Sequence, residues 1–154
     1  MVKNIFRSKF DGFEEVSDEL IKFSEERLGK KLPNSYKELL QTQNGGYLTK
    51  SAFPTEVNNH SADGYIPVEL IHGISRDPDN IYGVLTTEYM TEEWELPNGL
   101  VLLCGDGHTW IALDYRGDLE EPKVVFLDVE MEQEIELSQD FGSFIEGLID
   151  EPDC

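Results

Sequence analysis

The chain has 154 residues, with 12 Lys and Arg against 32 Asp and Glu for a formal charge of −20 at pH 7, and it is 39% hydrophobic and 10% aromatic. That length suits one domain, and the apolar content is too high for a disordered chain. The negative field lacks the basic footprint that nucleic acid and anionic membrane surfaces require, and it would attract a basic protein or a cation.

Met1 to Arg7 mixes charge into its apolar residues, so no signal-peptide core is present, and no window approaches the roughly 20 apolar residues of a membrane span. Two cysteines, Cys104 and Cys154, do not make a disulfide framework. The expectation is a cytoplasmic protein. The first predicted element is a helix opening at Ser17, whose hydroxyl can cap it. Asp18 and Glu19 stand at the positive end of its dipole, and Gly29 ends it. A second helix follows Pro33, with Leu32, Tyr36, Leu39 and Leu40 on one stripe, and stops at Asn44-Gly45-Gly46. Tyr47 to Phe53 and Tyr65 to Ile74 are strand candidates on either side of a polar loop, Pro54 to Gly64, and Pro67 suits an edge or a strand start. Thr86 to Trp94 reads as a short helix. Leu100 to Cys104 and Thr109 to Tyr115 flank Gly105-Asp106-Gly107-His108 as an antiparallel hairpin, followed by strands at Val124 to Val129 and Ile135 to Leu137. Ser138 is the expected cap of a last helix carrying Phe141, Phe144, Ile145, Leu148 and Ile149.

Strands grouped between helices imply an α+β domain with a mainly antiparallel sheet of about five or six strands and helices on one face. A single domain spans residues 1–154, with its core between Ser17 and Ile149 and a frayed acidic tail. Trp110, Leu113, Leu39, Tyr36 and Phe144 are its expected centre, with Trp110 and Phe144 meeting across the layers.

Three segments in order resemble the SUKH superfamily, which unites Smi/Knr-type fungal cell-wall regulators with many bacterial immunity proteins. They are Leu32-Pro33-Asn34-Ser35-Tyr36-Lys37 running to Asn44-Gly45-Gly46, then Gly105-Asp106-Gly107 with Trp110-Ile111-Ala112-Leu113-Asp114, then Pro122-Lys123-Val124-Val125 ahead of Phe141-Gly142-Ser143-Phe144. The resemblance covers about Ser17 to Ile149. It implies a non-catalytic domain that binds and neutralises a cognate polymorphic toxin in the cytoplasm, and many such toxins are nucleases. The alternative is a regulatory or scaffold domain like the fungal members. Pro54 to Gly64 and Asp77 to Trp94 depart from the family's pattern, and no interface residue carries over.

The residues themselves give little chemistry. No Gly-x-Ser-x-Gly elbow or phosphate loop occurs, and His60, His72 and His108 are scattered. Cys104 and His108 offer two metal ligands across a turn, too few for zinc, so no metal or cofactor is expected. Asp77 to Gly83 with Glu88 fails as a calcium loop because Ile81 and Tyr82 fall where an oxygen ligand and a glycine are needed. A hydrolase built on paired carboxylates is the least favoured reading. For a basic partner, acidic residues interleaved with aromatics combine steering with anchoring. Glu88, Tyr89, Glu92, Glu93 and Trp94 fit this best, with Asp63, Tyr65, Asp106 and His108 as neighbours.

Overall fold

The structure is a computed structural model that describes residues 5–55, 64–77, 79–105, 107–117 and 121–150. After a strand β1 (Phe6–Ser8), helix α1 (Asp18–Leu28) starts as the sequence predicts: the Ser17 hydroxyl accepts from the Leu20 N–H at 3.1 Å, and Gly29 closes it in the left-handed region at φ 69°. The Leu32 N–H donates to the Glu25 carboxylate at 2.7 Å, tying down the link to α2 (Asn34–Thr42), which buries Tyr36, Leu39 and Leu40. Tyr47 to Phe53 and Tyr65 to Ile74 each break in two. They give β2 (Gly46–Leu48) and β3 (Ala52–Pro54), then β4 (Tyr65–Pro67) and β5 (Leu70–Ile71). The breaks arise because β2 lies between β1 and β5, whereas β3 pairs with β4 on one side and bridges Ile149 on the other. A 3-10 turn (Val84–Thr86) leads into α3 (Thr87–Glu93). An antiparallel four-stranded sheet follows, in the order β6 (Leu100–Gly105), β7 (Thr109–Asp114), β8 (Lys123–Asp128) and β9 (Gln133–Ser138).

Helix α4 (Phe141–Glu146) corrects one expectation. Its cap is Asp140, whose Oδ1 accepts from the Ser143 N–H at 2.7 Å, because β9 runs on to Ser138 and uses up the residue expected to start the helix. The Ser138 hydroxyl donates instead to the Asp140 carbonyl at 2.6 Å.

The class is α+β, with two cores on opposite faces of the four-stranded sheet. Ile111, Leu113, Val124 and Phe126 face the larger, with Tyr36, Leu39, Phe141 and Phe144 from the helices. Trp110, Ala112, Val125 and Leu127 face the smaller, with Leu100, Leu102 and Leu96, and Met90 of α3 packs against it. Trp110 and Phe144 therefore do not meet, because successive strand residues point to opposite faces. Phe144 stacks on Phe53 at 5.1 Å, and Phe141 lies edge-on to Tyr36 at 5.1 Å. The helices likewise do not all share one face, since α3 covers the smaller core.

Asn44-Gly45-Gly46 does more than end α2. The buried Asn44 amide donates to the carbonyls of Glu14 and Ile74 at 2.8 Å each and accepts from the Ile74 N–H at 2.7 Å. Gly45, at φ 74°, lies against Gly73, where a Cβ would strike backbone at 2.5 Å. Nearby, the Tyr36 hydroxyl donates to the His72 carbonyl at 2.6 Å and the His72 N–H donates to Leu103 at 2.7 Å. This joins β5 to β6.

Candidate functional site

α3 is pinned to the sheet by Thr87, whose buried hydroxyl donates to Val84 O at 2.6 Å and accepts from the Leu102 N–H at 3.0 Å. With Met90 turned to the smaller core, Glu88, Tyr89, Glu92 and Glu93 face outward, and Tyr89 is 60% exposed. Trp94 caps the helix through its N–H to Met90 O and keeps 37% of its surface exposed. Its ring lies over Gly107, where a Cβ would come within 2.9 Å, and edge-on to His108 at 5.8 Å. Gly107 is thus fixed twice, by this contact and by φ 103°, and its carbonyl accepts from the Trp110 indole N–H at 3.1 Å.

His108 extends the surface to the β8–β9 turn. Its Nδ1 lies 3.8 Å from Glu130 Oε2, and its carbonyl accepts from the Val129 N–H at 2.9 Å. The buried Asp128 shapes that turn by accepting from the N–H groups of Glu130 and Met131 at 3.1 and 3.0 Å, leaving the Met131 side chain exposed. Trp94, His108 and Glu130 thus adjoin at one end of the sheet, with Tyr89 exposed on α3 and Met131 exposed on the β8–β9 turn.

Of the residues expected from the sequence, the structure places Glu88, Tyr89, Glu92, Glu93 and Trp94 on or at the end of α3, and brings His108 to Trp94. Tyr65 is half-buried in β4, in a different sheet. Asp63 and Asp106 lie outside the described residues, as do His60, Cys154 and residues 151–154 of the acidic tail. A groove of about 420 Å³ opens beside Gly105, lined by Pro67, Leu70, Cys104, Thr109, Trp110 and Phe126. Cys104 is buried, and among the described residues no group of three His, Cys, Asp or Glu side chains could hold a metal ion.

Sequence reasoning missed further carboxylates in the β8–β9 turn and along β9: Glu130, Glu132, Glu134 and Glu136. A signal for them was present. From residue 77 onward the chain has 21 Asp and Glu against only two basic residues, Arg116 and Lys123, so nearly all of the net charge lies in this half. Both basic residues are engaged. Arg116 pairs with Asp114 at 2.9 Å and Glu134 at 2.8 Å, and Lys123 pairs with Glu136 at 2.7 Å. Burial pushes the Asp114 carboxyl up, but the hydrogen bonds and charge of Arg116 outweigh it and hold that group below its usual range.

The motifs, the α+β order and the helix–sheet layers can be set against known families. The SMI1 / KNR4 family (SUKH-1) matches residues 15–147. The chain belongs to that family. The match takes in everything from the segment before α1 through α4, so among the described residues β1 is the one element ahead of the SMI1 / KNR4 region. No curated protein matched the chain. No helix among the described residues is long and apolar enough to cross a membrane.

Proposed function

We propose that this SMI1 / KNR4 family member is a cytoplasmic immunity protein that binds a cognate toxin and neutralises it by covering a basic functional surface, without catalysis or a cofactor of its own. The observation that carries the reading is the surface formed by α3 and the two turns beside it, where exposed Tyr89, Trp94 and Met131 stand among carboxylates that only sparse basic residues offset. Aromatic anchors supply the buried contact area of a protein interface, and the surrounding charge steers an oppositely charged partner. Family membership is consistent with this role. A toxin whose active groove binds phosphate presents cations that carboxylates can occupy, so a nuclease is the toxin class that suits this face best.

The test is co-expression with the product of the adjacent gene. A toxin-bearing product should co-purify with this protein, and cells should survive its expression only when this protein is present. Survival without it, or a neighbour that neither binds nor harms, would overturn the immunity reading in favour of a regulatory scaffold.

A further inference from the structure

The His72 N–H, just past β5, bonds to Leu103 O of β6, so the three-stranded sheet meets the four-stranded one there, and β1 and β9 are end strands, each with an outer edge. The two edges differ. β1 has three residues, and its register with β2 shifts between Phe6 and Ser8, leaving Arg7 in the irregularity. Short, bulged and charged strands are the usual defence against addition of a further strand. β9 has six residues, is paired with β8 in register from Gln133 to Glu136 with its register shift falling beyond that run, toward Ser138, and has no described strand beyond it.

The register fixes which backbone groups of β9 face outward. The Val129 N–H donates to His108 O directly opposite, so by antiparallel alternation Leu127 and Val125 bond to β7, while Asp128 and Phe126 turn their backbone groups toward β9. Their partners there are Gln133 and Ile135. The N–H and C=O groups of Glu134 and Glu136 therefore point away from the sheet. Their side chains, 46% and 50% exposed, reach back over the sheet to Arg116 and Lys123 at 2.8 and 2.7 Å, so a basic side chain on an added strand would share these carboxylates with them, and Glu132 lies in the turn just before β9.

We propose that the outer edge of β9 receives an extended, Lys- or Arg-rich strand of the partner, bonded through its main chain to Glu134 and Glu136, with alternate basic side chains meeting Glu132, Glu134 and Glu136. Strand addition supplies affinity through the backbone, and side-chain alternation supplies selectivity. An acidic strand would gain the same backbone bonds but meet like charge. The inference rests on the reading of a basic partner, and it assigns that partner a second contact apart from α3.

The probe is a peptide about ten residues long, long enough to span an edge strand, alternating Lys with Val and Thr. It is titrated into the full-length protein at low salt and followed by amide NMR. The Glu134 and Glu136 amides should shift and become protected from solvent exchange. A peptide N-methylated at alternate positions should bind about tenfold more weakly or worse, since its pairing donors are gone. Glu134→Pro, which removes an outward N–H and leaves the β8 pairing intact, should lose as much, whereas Glu134→Gln should lose only a few-fold. Reversal at Glu92 and Glu93, which touches this edge only through the long-range field, should lower peptide affinity less than Glu134→Pro does, and the loss should shrink at about 0.15 M salt while that of Glu134→Pro remains. Shifts confined to α3 and the His108 turn, or an N-methylated peptide that binds as well as its parent, would overturn strand addition while leaving the basic-partner reading standing. Failure of the peptide to bind also overturns it, and co-purification of the toxin then judges that reading separately. If Glu134→Pro does not fold, the N-methylated peptide decides the matter on the unaltered protein.

Discussion

His72 is a base held away from water. Burial lowers its pKa to about 4, and its Nδ1 lies 3.1 Å from the Leu102 carbonyl, which accepts only, so the neutral ring carries its proton on Nδ1. In the unfolded chain the same ring binds a proton near pH ~6.5. The unfolded state therefore holds more protons between these values, and the contribution of His72 to stability falls as the pH drops through that window. Between pH 7 and pH 5 the loss should be about 2 kcal/mol, from the linkage of the two pKa values. His72→Asn keeps a donor close to Nδ1 and cannot titrate there. Urea unfolding at both pH values should show a steeper loss for the parent than for this variant, and equal losses would show that His72 takes up its proton as readily folded as unfolded. Trp110 carries a second prediction at this scale. Its indole fills the smaller core and its N–H holds the Gly107 carbonyl, so Trp110→Ala should cost ~3–5 kcal/mol. Because Gly107 supports the Trp94 ring, the same variant should also weaken binding of the proposed toxin partner. A mutant melting like its parent would make this core dispensable.

α3 separates fold from surface within seven residues. Thr87 and Met90 hold it, while Glu92 and Glu93 are exposed on its far side. Glu92→Lys with Glu93→Lys should therefore leave the melting temperature within about 2 °C, because surface substitutions away from contacts change stability little. The same pair should slow association with the proposed toxin partner by roughly tenfold at low salt and by less as salt rises. Unchanged association with the fold intact would move the toxin's contact off α3. The place of this helix was legible in the sequence, although Tyr89 of its apolar stripe faces outward and Met90 alone packs on the smaller core; α1, α2 and the β6–β7 hairpin were legible too. β1 was not legible. Three residues carry no period, and it exists because Phe6 pairs with Leu48, a contact made only in the folded chain. The double role of Asn44 was hidden for the same reason, since Glu14 and Ile74 lie 30 residues away on either side. Trp110 was misplaced for another reason: its strand was recognised, but both faces of that strand are apolar, so alternation gave no sign of which core it joins.

At the scale of the molecule, the charge is unevenly divided. Glu130 to Glu136 join the α3 carboxylates only through the order of strands, so the candidate surface could be read in part from α3 and completed only by topology. Crowded like charge favours expansion, and salt screens it. Raising NaCl from about 0.01 to about 0.2 M should therefore raise the melting temperature of the free protein while slowing capture of the proposed basic partner, two responses of opposite sign. A melting temperature that falls over that range would show that attraction between paired groups, and not repulsion, dominates the fold. The concentration of charge after residue 76, set against a nearly balanced first half, also makes the molecule an electric dipole. A cationic body passing nearby exerts a torque on it. The acidic side swings round before contact, with the α1–α2 layer trailing, so that much of the rotational search is over when the surfaces touch.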